Sequence, residues 1–94
     1  MPYIDKDKRK NFDPHIEALV KRLEEDTDNF EGNMNYIISK MILSYLFHSY
    51  NTSRYCYKTI NGVIGMLNCV GHELYGRWFR IYEDQKIENN GDII

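Results

Sequence analysis

The stretch Ile60-Asn61-Gly62-Val63-Ile64-Gly65-Met66-Leu67-Asn68-Cys69-Val70-Gly71-His72-Glu73-Leu74-Tyr75-Gly76-Arg77-Trp78 decides how this chain reads. Ile60, Val63, Ile64, Leu67, Leu74, Trp78 and, one turn on, Ile81 keep the spacing of one helix face. Yet the same stretch holds Gly62, Gly65, Gly71 and Gly76. A glycine inside a helix costs about 1 kcal/mol relative to alanine. Their spacing is no phosphate-binding loop, because no strand precedes it and no lysine stands where such a loop needs one. Small residues at near-helical intervals instead let something come close, either a neighbouring helix or a ligand.

The helix that this spacing predicts runs from about Arg54 to Gln85. At 1.5 Å per residue it would span roughly 45 Å, whereas a compact chain of this length has a diameter in the low thirties of ångströms, about. Either the helix breaks at Gly71 or Gly76, or its far end overhangs and packs on another subunit. The second is expected, because Trp78, Phe79, Ile81 and Tyr82 would otherwise be left in water.

Working outward, Asp13-Pro14 reads as a helix opening with Asp13 as N-cap and Pro14 at the first helical position. Ile16, Leu19, Val20 and Leu23 form one apolar stripe, and the acidic run Glu24-Glu25-Asp26 ends that helix near Glu25, where a negative dipole disfavours it. Phe30 to Asn33 is read as a connection. A central helix from about Asn33 to Ser49 follows, with Ile37, Ile38, Met41, Ile42, Tyr45 and Leu46 on a broad apolar face. Asn51-Thr52-Ser53 is a polar turn that offers N-caps to the third helix. The expected fold is therefore all-α: a single domain over 1–94 with three main helices, the third long and C-terminal. An arm over 1–12, anchored by Tyr3 and Ile4, precedes it, and a tail over 86–94 follows. Asn90-Gly91 is the expected left-handed helix stop, and Ile87, Ile93 and Ile94 suggest that the tail folds back on the body or on a neighbour.

Composition bounds the function. The chain has 94 residues and a net charge of −2, which gives no general attraction to nucleic acid polymers or anionic membranes. No segment approaches the ~20 apolar residues of a membrane helix, and the start lacks the regions of a signal peptide; a cytoplasmic protein is expected. Cys56 and Cys69 lack metal-ligand spacing and read as reduced thiols. His15, His48 and His72 fall on three different expected helices with no catalytic pattern around them, so neither catalysis, a metal nor a cofactor is expected.

What remains is a polar and aromatic load on the long helix. Asn61, Gly65, Asn68 and His72 form a polar stripe, either a solvent face, a buried register-setting ladder or a row of groups for a polar ligand. Glu73 and Arg77 stand at i and i+4, the favoured orientation for a helical ion pair. Arg77 and Arg80 beside Tyr75, Trp78 and Tyr82 have the chemistry to clamp phosphate while a ring stacks on a base. The expected ligand-binding set is Arg77 and Arg80 on phosphates, Tyr57 or Tyr82 stacking, and Asn61, Asn90 and Asp92 on polar edges or hydroxyls.

The opening Met1-Pro2-Tyr3-Ile4 with Arg9 and Phe12, the segment Asn35-Tyr36-Ile37-Ile38, the run Ile60 to Gly65 and the ending Tyr82-Glu83-Asp84-Gln85-Lys86-Ile87-Glu88-Asn89-Asn90-Gly91-Asp92-Ile93 resemble a small family of phage and bacterial proteins of unknown function. The resemblance covers nearly the whole chain and implies a phage or prophage setting. By size class alone it is also similar to phage counter-defence sponges, small oligomers that sequester cyclic nucleotides or cyclic ADP-ribose signals. The expectation is thus a homo-oligomer that binds a small nucleotide-like ligand without turnover. The alternative is an oligomeric interaction protein that occludes a host protein.

Overall fold

Asp5 begins the ordered chain. Its carbonyl accepts from the backbone N–H of Lys8 and Arg9, which closes a four-residue helix, α1 (Lys6–Arg9). In the computed structural model, which describes residues 3–48 and 54–94, helical turns then continue through Asn11 and Phe12 into α2 (Asp13–Glu25). This corrects the expected wet arm, because most of it is helical. It also moves the start of α2: Phe12 is the N-cap, its carbonyl accepting from His15 and Ile16, and Asp13 is the first helical residue. As an acid in the first turn, Asp13 still favours the positive end of the helix. The acidic run ends α2 at Glu25, as the sequence implied.

α3 (Phe30–Leu46) starts three residues before its expected position. The reason is a cap at Asn29, whose side-chain oxygen accepts from the Gly32 N–H at 3.2 Å. Phe30 to Asn33 is therefore the first turn of the helix and not a connection. Asn33 reaches back to the Asp26 carbonyl at 3.1 Å and closes the short α2–α3 link. Two shallow grooves lie between these helices. Asp26 and Leu23 face Asn33, Tyr36 and Ile37 in one, and Leu19 faces Lys40, Met41 and Ser44 in the other. The pairing order runs opposite in the two helices, so α2 and α3 form an antiparallel hairpin.

The end of α3 holds what core there is. Leu46, 5% exposed, is the one buried side chain among the described residues. Around it the Phe47 and Tyr55 rings lie 4.7 Å apart. Arg54 donates to the Tyr45 carbonyl at 3.1 Å, and its guanidinium lies 4.4 Å from the Tyr45 ring centroid. These contacts fasten the entry of the last helix to the exit of α3. The expected end of α3 at Ser49 and the capping turn Asn51-Thr52-Ser53 lie outside the described residues.

The last helix does not break. α4 (Tyr57–Leu74) passes into a π-turn (Tyr75–Phe79) and then α5 (Arg80–Asn90) without leaving helical backbone. Gly76 lies inside the wide turn, where the Arg80 N–H bonds the Tyr75 carbonyl five residues back. The helix passes the expected stop at Gln85 and takes in Lys86 to Asn90, which had been assigned to the tail. Gly91, at φ 87°, then ends it, and the Gly91 N–H returns to the Ile87 carbonyl at 2.8 Å. Ile93 and Ile94 are fully exposed, so within one chain the tail folds onto nothing. Four α-helices, the last long and carrying a π-turn, replace the expected three.

The molecule is 56 Å long with a radius of gyration of 17.3 Å, against about 12 Å for a compact chain of its length. It exposes 8821 Å². A compact protein of 11.3 kDa exposes about 5,700 Å². The difference, about 3,000 Å², is surface that the chain alone leaves in water.

Candidate functional site

Arg77 sits in the π-turn, one helical turn after Glu73. Its Nη1 lies 3.6 Å from the Glu73 carboxylate, the ion pair that the i, i+4 spacing implied. The same nitrogen donates at 2.6 Å to the hydroxyl of Tyr3, and that hydroxyl donates in turn to Glu73 Oε1. The guanidinium lies 5.7 Å from the Tyr3 ring centroid and 5.9 Å from that of Trp78, both within cation–π reach. A tyrosine from the start of the chain thus completes a three-residue cluster at the middle of the long helix. Tyr3 and Ile4 do anchor the N-terminal segment, which also bounds a groove of about 430 Å³ with Arg9, Phe12, Asp13 and Ile16. Arg9 Nε holds the Ile4 carbonyl at 2.9 Å, which keeps the turn before α1 closed.

The other expected binding residues are strung along the same helix. Tyr57 is its first residue, 80% exposed, and Asn61 stands one turn later, also exposed. Arg80 opens α5 and Tyr82 follows, with the Lys86 ammonium 5.5 Å from the Tyr82 ring centroid. Asn90 is the last helical residue, and the Asp92 carboxylate beyond Gly91 accepts from the Ile93 N–H at 2.6 Å. Arg77, Arg80 and Tyr82 lie within about two turns of one another. Tyr57 is twenty residues from Arg77, or roughly 30 Å along the axis. One chain brings the two arginines and Tyr82 together and leaves Tyr57 and Asn61 at the other end. None of the seven lines any of the grooves described above.

The glycines add a geometric fact. A methyl group placed on Gly62, Gly65, Gly71 or Gly76 would meet nothing within 4 Å. Whatever requires them small is not another part of this chain.

At the head of the helix Cys56 is the N-cap residue, and its sulfur lies 3.2 Å from the Thr59 hydroxyl. That hydrogen bond, with a further one to the Thr59 backbone and a smaller contribution from Lys58, holds the thiol below its usual range. Cys56 and Cys69 are both free and exposed.

A family model described as a domain of unknown function (DUF6899) matches residues 1–93. The chain belongs to that family. No curated protein and no solved structure matches it. The family domain spans Tyr3 as well as Arg77, so the arm and the long helix are parts of one unit. Among the described residues no helix is long and apolar enough to cross a membrane.

Sequence reasoning missed the partner of Tyr3. Its apolar character marked it as an anchor, but nothing local ties it to residues seventy positions away. The approach of Lys86 to Tyr82 was legible at i, i+4 and went unused.

Proposed function

We propose that this family member is a stoichiometric binding protein that works as a self-assembled oligomer, without turnover. The observation that carries the reading is the surplus of about 3,000 Å² over a compact monomer. A standard interface removes about 800 Å² per partner, and obligate homodimers remove more. One buried side chain does not hold a 94-residue fold by itself, and a second copy supplies the missing burial.

In its most specific form the ligand is a nucleotide-derived signalling molecule, of cyclic nucleotide or cyclic ADP-ribose type, sequestered in the cytoplasm at subunit junctions in a phage setting. Support comes from two arginines within one turn of Trp78 and Tyr82, the groups that phosphates and bases demand. Arg77 spends Nη1 on Tyr3 and Glu73, and Arg80 makes no ion pair among the described residues. Arg80 is therefore the arginine with charge to offer.

A second reading, occlusion of a protein partner, is favoured by a different observation. Tyr75, Trp78, Phe79, Ile81 and Tyr82 are each more than half exposed, and such a run is a protein-docking surface as readily as a base-stacking one. Native mass spectrometry against a mixed panel of cyclic dinucleotides and cyclic ADP-ribose isomers separates the two. One mass increment per site, lost in Arg80→Ala while the oligomer persists, is the expected result. An oligomer that ignores the whole panel moves the function to a protein partner.

A further inference from the structure

The charges of the long helix run against its own dipole. From Arg54 to His72 there are two basic residues, Arg54 and Lys58, and no carboxylate. From Glu83 to Asp92 there are four carboxylates, Glu83, Asp84, Glu88 and Asp92, against Lys86 alone. The first turn of α4 has no acidic residue and the last turn of α5 no basic one. An isolated helix favours the opposite arrangement, acids at its positive N-terminus and bases at its negative C-terminus. A second helix laid antiparallel removes the conflict, because each basic head then meets an acidic end.

The register follows from the same charges. Setting Lys58 opposite Asp84 places the two-fold axis at position 71, and setting Arg54 opposite Glu88 gives the same position. Position 71 is a glycine with open space around it. Gly65 and Gly62, equally open, then stand opposite Arg77 and Arg80, Ile64 opposite Trp78, and Ile60 opposite Tyr82. Large groups meet gaps along the length of the pair. The surplus of about 3,000 Å² is ample for such an interface.

We propose that the long helix pairs antiparallel with that of a second copy about a two-fold near Gly71, each pairing joining Arg77, Arg80 and Tyr82 of one copy to Tyr57 and Asn61 of the other. The ligand set that one chain spreads over roughly 30 Å then closes into two equivalent sites, each incomplete without the partner copy. This rests on the reading of the chain as a self-associating binder, and it assigns the partner and the register.

The two native cysteines test it. In this register Cys69 of each copy lies within about one turn of the other, while the two Cys56 residues are roughly 45 Å apart. A parallel pair would bring both cysteines to their own equivalents. A short flexible bismaleimide applied to the native chain and to Cys56→Ser should give covalent dimer, and Cys69→Ser should give none. Lys58→Glu should weaken association about tenfold at low ionic strength, since each dimer holds two such pairs, and adding Asp84→Lys should restore it. Cross-linking through Cys56, or an oligomer that never links through Cys69, overturns the register while self-association stands. A monomer under all conditions overturns both.

Discussion

Arg77 donates a 2.6 Å hydrogen bond to the hydroxyl of Tyr3, which stands 74 positions earlier in the chain. With Glu73 accepting from that same hydroxyl, the bond ties the start of the chain to the middle of its longest helix. In a molecule with so little buried surface, a tether of this kind has a large share in deciding where the N-terminal helices sit.

Tyr3→Phe keeps the ring beside Arg77 and removes both hydrogen bonds. Amide exchange across residues 3–12 should speed up, and stability should fall by up to about 1 kcal/mol. Unchanged exchange in that segment would show that the hydroxyl holds nothing in place.

Leu46→Ala empties the node where α3 hands over to the last helix. A loss of about 2 to 3 kcal/mol is expected, at the low end for a buried leucine because the surrounding shell is thin. Chemical denaturation measures it, and a loss below about 0.5 kcal/mol would mean that the node is not the core.

These two residues also mark how far the sequence could be read. The apolar spacing of α2, the breadth of the α3 face and the length of the last helix were all legible, because each is a local repeat. Asn29 as a cap was hidden behind the acidic run that ends α2, and α1 was hidden because Lys6 to Arg9 carries no apolar face. The π-turn at Tyr75–Phe79 leaves no mark in the spacing, since only its backbone bonds define it. At the candidate site, the Glu73–Arg77 pair was local and readable, whereas Tyr3 reaches it through tertiary structure. Tyr57, Asn61 and Arg77 were grouped by chemical type, and the fold separates them within a chain.

Gly71→Leu distinguishes a packed glycine from a free one. Space around Gly71 is open in the single chain, and leucine is the better helix former by close to 1 kcal/mol, roughly. Helicity measured by circular dichroism should hold or rise while the association constant falls. Unaltered association would place the interface elsewhere.

Cys56 should react before Cys69. Hydrogen bonding to Thr59 favours the thiolate, so at a given pH below the ordinary thiol range Cys56 carries the larger thiolate fraction. Its alkylation rate should therefore begin to rise at lower pH, and Thr59→Val should move that profile upward. Equal profiles for the two cysteines, followed by peptide mass mapping with iodoacetamide, would contradict the cap geometry.

The central claim is that one chain is not the whole molecule, and sedimentation equilibrium of the full-length protein at micromolar concentration tests it most directly. A mass of at least twice 11.3 kDa, with association weakened in Gly71→Leu, is the predicted result. A single folded species of 11.3 kDa would contradict it, because the surplus surface would then belong to a stable monomer.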